Sequence, residues 1–179
     1  MQRFFLLILL PVIVQACAPE PGREDTPRPF FDLEGYITTE AERLAGRGTR
    51  VEKTITLNGK TETRELDKPD FANDLRLFRE ADINKPAWFD KYATEEKALS
   101  AGHKITTYLA QDSSLIVRRL RIEQDQGVPI RVDIERHTGT VLSDGRHRLS
   151  YEPARGYEVV TSQQNRFGED VEAVIRVRW

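Results

Sequence analysis

Three histidines, one cysteine and several neighbouring carboxylates are the residues of this chain whose types could do chemistry. His103, His137 and His147 are dispersed, and no two have the local spacing of a helical or finger-type metal site. Period-two alternation places Asp133 and Glu135 on one face of a strand, with Ile130, Val132 and Ile134 on the other. Two acids on one face are the raw material of general acid–base catalysis. Arg131 shares that face, however, and Arg118, Arg119 and Arg121 stand on the preceding strand, so cross-strand ion pairing accounts for the same residues. Glu169 and Asp170 form a second acidic pair. The chain has no phosphate loop, GxGxxG, HExxH or GxSxG motif, so the sequence implies no cofactor, no metal and no enzymatic activity.

Two groups of residues suit binding instead. The strand-forming half is rich in arginine, and guanidinium forks match carboxylate, phosphate and sugar-acid groups. Arg119 and Arg121 are the arginine candidates for an anionic ligand if one sheet face gathers them. Trp88, Phe89 and Tyr92 fall within five positions and are the aromatic candidates, because aromatics are enriched in interfaces and ligand pockets. Core packing is the competing role for these rings.

The bulk properties narrow the class. The chain has 179 residues and a net charge of −2, enough for one domain with a real core and without the basic excess of a nucleic-acid binder. A single cysteine rules out an intramolecular disulfide. That cysteine ends an unusual N-terminal stretch, MQRFFLLILLPVIVQAC. Arg3 supplies a short positive region, and Phe4 to Val14 is an unbroken apolar run. Eleven residues are too few for a spanning helix, which needs about 20, and fit a signal peptide over residues 1–16.

Val14-Gln15-Ala16-Cys17 resembles the lipobox of bacterial lipoproteins, with Gln15 departing from the usual small or aliphatic residue. The resemblance implies that Cys17 carries a thioether-linked diacylglycerol and, after cleavage, a further acyl chain such as palmitate. It implies a membrane partner, reached through this lipid anchor. Residues 17–29 then form a flexible tether, since APEPGREDTPRP has four prolines and five charges. Ala18 is not the aspartate that retains lipoproteins in the inner membrane of enteric species, which favours the outer membrane of the cell envelope.

The elements that must position the candidates follow from periodicity. Phe30, Leu33, Ile37, Ala41 and Leu44 predict a helix over about 30–45, stopped by Gly46 and Gly48. VEKTITL and KTETREL flank Asn58-Gly59 and predict a hairpin with a polar edge strand. A second helical pattern opens at Pro69-Asp70, carrying Phe71, Leu75 and Phe78 on one face. INKPAWFDKY reads as a helical turn with Trp88 and Tyr92 four residues apart. From residue 103 onward, runs of alternating residues predict strands. Turn clusters at 111–114, 124–127, 137–139, 144–145 and 153–156 separate them. Short connections require antiparallel neighbours. The expected domain, residues 30–179, is α+β: an antiparallel meander of seven to nine strands, as a curved sheet or half-barrel, with one to three helices on one face.

In organisation this body resembles uncharacterised small exported lipoproteins of Gram-negative bacteria. More loosely it is similar to the open half-barrels of periplasmic lipoprotein carriers and receptors, which implies a lipid ligand held on an apolar sheet face. Three functions follow as expectations. The favoured one is non-enzymatic binding of a ligand or partner at the outer membrane. The second is an accessory subunit of an envelope complex that docks an envelope protein through the Trp88 region. The third is a hydrolase of envelope polymers working through carboxylates.

Overall fold

The computed structural model describes residues 28–179. The expected signal peptide, Cys17 and nearly all of the expected tether lie outside the described residues. The elements are α1 (Leu33–Gly46), β1 (Val51–Leu57), β2 (Lys60–Leu66), α2 (Phe71–Asp74), α3 (Arg76–Arg79), a 3₁₀ turn (Pro86–Trp88), β3 (Tyr92–Ser100), β4 (His103–Ala110), β5 (Val117–Asp125), β6 (Val128–Gly139), β7 (Ser143–Glu152), β8 (Gly156–Asn165) and β9 (Val171–Arg178). All nine strands form one open antiparallel sheet in the order β2-β1-β9-β8-β7-β6-β5-β4-β3.

This order explains why the helices share a face. β2 and β3 are consecutive in sequence but are the two opposite edges of the sheet. The chain between them must cross a whole face, and it carries α2 and α3 as it does so. α1 packs with both short helices on that inner face. Beneath them lie Leu120, Ile122, Val132, Ile134, Leu149 and Tyr151, each 2% exposed or less. Phe78 meets Tyr151 and Tyr157 edge-on at ring separations of 6.0 and 5.9 Å.

Local chemistry fixes the ends of the elements. Asp32 caps α1 by accepting from the Gly35 amide at 3.0 Å, an interaction worth about 1 kcal/mol. The buried stripe is Leu33, Ile37, Glu40, Ala41 and Leu44, as the periodicity predicts, with a buried glutamate added to it. Asn58 (φ 46°) and Gly59 (φ 80°) form the hairpin turn with both residues left-handed. Gly156 has φ 140° because a Cβ there would lie 1.9 Å from the Val177 carbonyl oxygen on β9.

Four expectations need correction. β3 was not expected as a strand: from Thr94 onward it is exposed and it pairs only with β4, so it needs no alternating apolar residues. Its charged side chains suit an edge that must not recruit another strand. Residues 137–139 belong to β6, and the turn falls later. There Thr140 Oγ1 accepts from the amides of Leu142 (3.2 Å) and Ser143 (3.0 Å) and folds the chain back. Ser143-Asp144-Gly145 accordingly opens a continuous β7 rather than splitting it. The pattern from Phe71 to Phe78 is two short helices broken at Leu75, whose φ and ψ of −92° and 7° leave the helical region.

Candidate functional site

The outer sheet face carries the charges, and strand register decides which of them meet. One row across the sheet reads Arg119, Glu135, Arg148, Val160, Val174. The next reads Arg121, Asp133, Ser150, Glu158, Arg176. Arg119 donates to Glu135 at 2.6 Å. Asp133 accepts from Arg121 Nη1 (2.8 Å), Arg131 Nε (2.9 Å) and Ser150 Oγ (2.9 Å). Burial pushes the Asp133 carboxyl up, but the bonds from Arg131 and Ser150 outweigh it and hold the group below its usual range. Glu123 behaves likewise: burial raises it, and His103 and Arg121 more than compensate. Arg131 also reaches Glu152 at 2.9 Å. Asp133 and Glu135 are therefore each gripped by guanidinium groups, and Asp133 is held ionised, which does not suit a general acid.

The histidines do not converge. His103 pairs with Glu123 at 2.9 Å, and His137 pairs with Asp144 at 2.5 Å, both on the outer face. His147 points inward between Thr138 (3.3 Å) and Thr161 (3.0 Å). Burial, aided by the charge of Arg136, pushes its pKa down. Among the described residues no group of His, Cys, Asp and Glu side chains has the arrangement to hold a metal.

An open trough of about 510 Å³ lies over β6, β7 and β8, lined by Arg118, Glu135, His137, Arg146, Arg148 and Ser162. A second of about 350 Å³ adjoins it across Glu135 and Arg148 and runs over Arg131, Asp133 and Ser150. Arg148 stands at the junction. Its cross-strand neighbours are Glu135 and Val160. Glu135 is taken by Arg119, so Arg148 has no ion pair among the described residues. Arg118 sits at a bulge between Val117 and Arg119 and donates only to the backbone carbonyls of Asp112 (2.9 Å) and Leu115 (3.4 Å). Among the described residues, no side-chain carboxylate pairs with the guanidinium groups of Arg148 and Arg118, while the Ser162 hydroxyl is already donated to Glu172 at 2.5 Å. The two guanidinium groups suit a small anion with several acceptor oxygens.

Among the expected site residues, Arg119 and Arg121 are committed to ion pairs beside the trough. Trp88, Phe89 and Tyr92 come together at one end of the core. Phe30 packs edge-on against Phe89 (6.2 Å) and Tyr92 (5.8 Å), and Trp88 lies 6.5 Å from Tyr92. The two meet through a 3₁₀ turn entering β3 rather than along a helix. Tyr92 donates to the Val117 carbonyl at 2.8 Å, and burial pushes its phenol up to about 12. Lys85 covers the exposed side of Trp88, its Nζ 4.1 Å from the ring centroid. Cys17 lies outside the described residues. Reading the sequence alone did not single out Arg148 from its neighbours, because its lack of a partner depends on which arginine claims Glu135.

No family model, curated protein or solved structure matches this chain.

Proposed function

We propose that this chain is a lipid-anchored, non-enzymatic binding protein of the Gram-negative envelope, held at the outer membrane through Cys17, and that it takes a small anionic ligand on its outer sheet face. The observation that carries the ligand reading is the unpaired Arg148 at the centre of the trough. Guanidinium groups are placed to meet carboxylate or phosphate oxygens bidentately, and a charge without a protein partner is the group a ligand can satisfy. A cargo of acyl chains has less support. The space where a lipid-carrying half-barrel would hold them is filled by α1, α3 and the side chains beneath, with Leu120 and Tyr151 at 0% exposure. A carboxylate hydrolase has less support too, since Asp133 and Glu135 are each locked in ion pairs.

The test is NMR titration of the full protein with inorganic phosphate and with a uronic acid. Arg148→Ala and Arg118→Ala are compared with Arg155→Ala, an exposed arginine outside the trough. The expected result is a shift of amides in β6, β7 and β8, weakened about tenfold or more by the first two changes, as for loss of a charge-assisted bond. Equal binding by Arg148→Ala and the parent, or no shift in these strands with either probe, would overturn the reading.

A further inference from the structure

The ends of the sheet differ in what they show to solvent. One end gathers the β1–β2 turn, the chain between β4 and β5, the β6–β7 turn and the β8–β9 loop. Backbone hydrogen bonds stitch these tips together: Asn58 to Glu172 (2.8 Å), Arg166 to Leu142 (2.9 Å) and His137 to Ile116 (2.8 Å). At this end Val141 is 83% exposed, Phe167 76%, Leu142 57% and Leu57 51%. The turn from Thr138 to Ser143 carries no charge. These large apolar side chains stand at the extremity of the fold, where the domain has nothing to pack against them. Scattered exposed leucines need no explanation, but a ring and two aliphatic side chains on two adjoining tips form a patch.

The charges around the patch are mixed but not balanced. Arg166 precedes Phe167 and has no ion pair among the described residues, while Asp144 is held by His137 and Arg146. Asp170 accepts from the Asn165 amide at 2.8 Å. Glu169 and Asp170 are both acids of this loop without an ion pair among the described residues. Unpaired Arg148 and Arg118 stand a few residues back from the tips.

The chain also comes into the domain at this end. Phe30 packs on Tyr92, the first residue of β3, and Phe31 donates its amide to the Tyr108 hydroxyl at 3.1 Å. From Cys17 to Arg28 the chain reaches at most about 40 Å, at roughly 3.3–3.6 Å per residue. If Cys17 is acylated, as proposed above, the anchor joins the domain nearer this end than the far one.

We infer that the tips carrying Val141, Leu142 and Phe167 seat in the interface of a phospholipid bilayer, with Arg166 at the level of the lipid phosphates. Apolar side chains enter the boundary between headgroup and acyl chain, where aromatic rings and aliphatic groups are favoured and arginine can remain solvated. The seat sets the sheet upright on the membrane and leaves the arginine trough facing sideways to solvent. The far end also exposes apolar residues, Val128 at 63% and Leu99 at 45%. It serves as the internal control, because Phe30 meets the start of β3, at the opposite end of that strand from Leu99.

The experiment uses the full chain, purified and mixed into vesicles of phosphatidylethanolamine and phosphatidylglycerol with brominated acyl chains. Phe167→Trp and Val128→Trp are compared with the parent, whose Trp88 and Trp179 give the background. Val141→Trp repeats the test should Phe167→Trp misfold. The added fluorescence at 167 or 141 is expected to be quenched about twofold or more, and that at 128 no more than background. Equal quenching at both ends, or none at 167 and 141, would overturn the inference. The mass of the same sample reports acylation of Cys17 separately. Quenching at 167 without acylation would uphold the membrane seat and sink the anchor, and acylation without quenching would do the reverse.

Discussion

The phenol of Tyr151 donates a 2.7 Å hydrogen bond to Oε2 of Glu40, joining the C-terminal end of β7 to the middle of α1. Arg43 grips both oxygens of the same carboxylate at 2.8 Å. Burial raises the Glu40 pKa, but the bonds from Arg43 and Tyr151 outweigh it, and the group sits below its ordinary 4.5. The unfolded chain therefore binds a proton first as pH falls. The stability this network adds is complete above pH 4.5 and drains away as pH drops through the folded-state value. Glu40→Gln should cost roughly 2 kcal/mol at neutral pH. It should also flatten the acid-side loss of stability, read by urea denaturation at a series of pH values.

Gly156→Ala should be among the most damaging single-methyl additions. The new Cβ would press into the Val177 carbonyl oxygen at 1.9 Å, in a backbone with φ 140°. A loss of about 3 kcal/mol or more is expected, measured by thermal melting. Gly46→Ala is the contrast. Gly46 ends α1 with nothing within 4 Å of an added Cβ, so the change should be neutral or stabilise by up to about 1 kcal/mol.

Arg119→Ala and Arg148→Ala should separate charge pairing from ligand binding. The Arg119–Glu135 pair is exposed, its side chains 44% and 42% accessible, so its loss should cost no more than about 1 kcal/mol. Arg148→Ala should leave stability unchanged while weakening anion binding. A melting temperature that falls further for Arg148→Ala than for Arg119→Ala would show that Arg148 is structural.

Tyr92→Phe should cost about 1–2 kcal/mol, because the buried Val117 carbonyl then loses the hydroxyl bonded to it at 2.8 Å. A docking surface would behave differently, with binding lost and stability kept. Equilibrium denaturation distinguishes the two.

Cys17→Ser should abolish acylation and leave an unprocessed or differently cleaved chain in cell fractions. A variant processed and membrane-bound like the parent would end the lipoprotein reading.

Periodicity alone determined the elements whose one face is buried. α1 was legible because Leu33, Ile37, Ala41 and Leu44 recur at helical steps. The β1–β2 hairpin was legible because Asn58-Gly59 can adopt two left-handed conformations in succession. The strands from β4 to β9 alternate because one side faces the helices. β3 was not legible, since an edge strand pairs on one side only and its exposed faces place no demand on the pattern.

Only the tertiary structure decided the rest. That β1 pairs with β9, and that the 67–91 connection must therefore cross the inner face, depends on contacts remote in sequence. The chain also shows many arginines among many acids, and composition cannot say which cation is left over. Register decides it: Arg119 stands opposite Glu135 and takes it at 2.6 Å, while Arg148 on the other side of the same glutamate goes without. A carboxylate gripped by one guanidinium is neutralised for the next, and only the fold determines which of the two reaches it first.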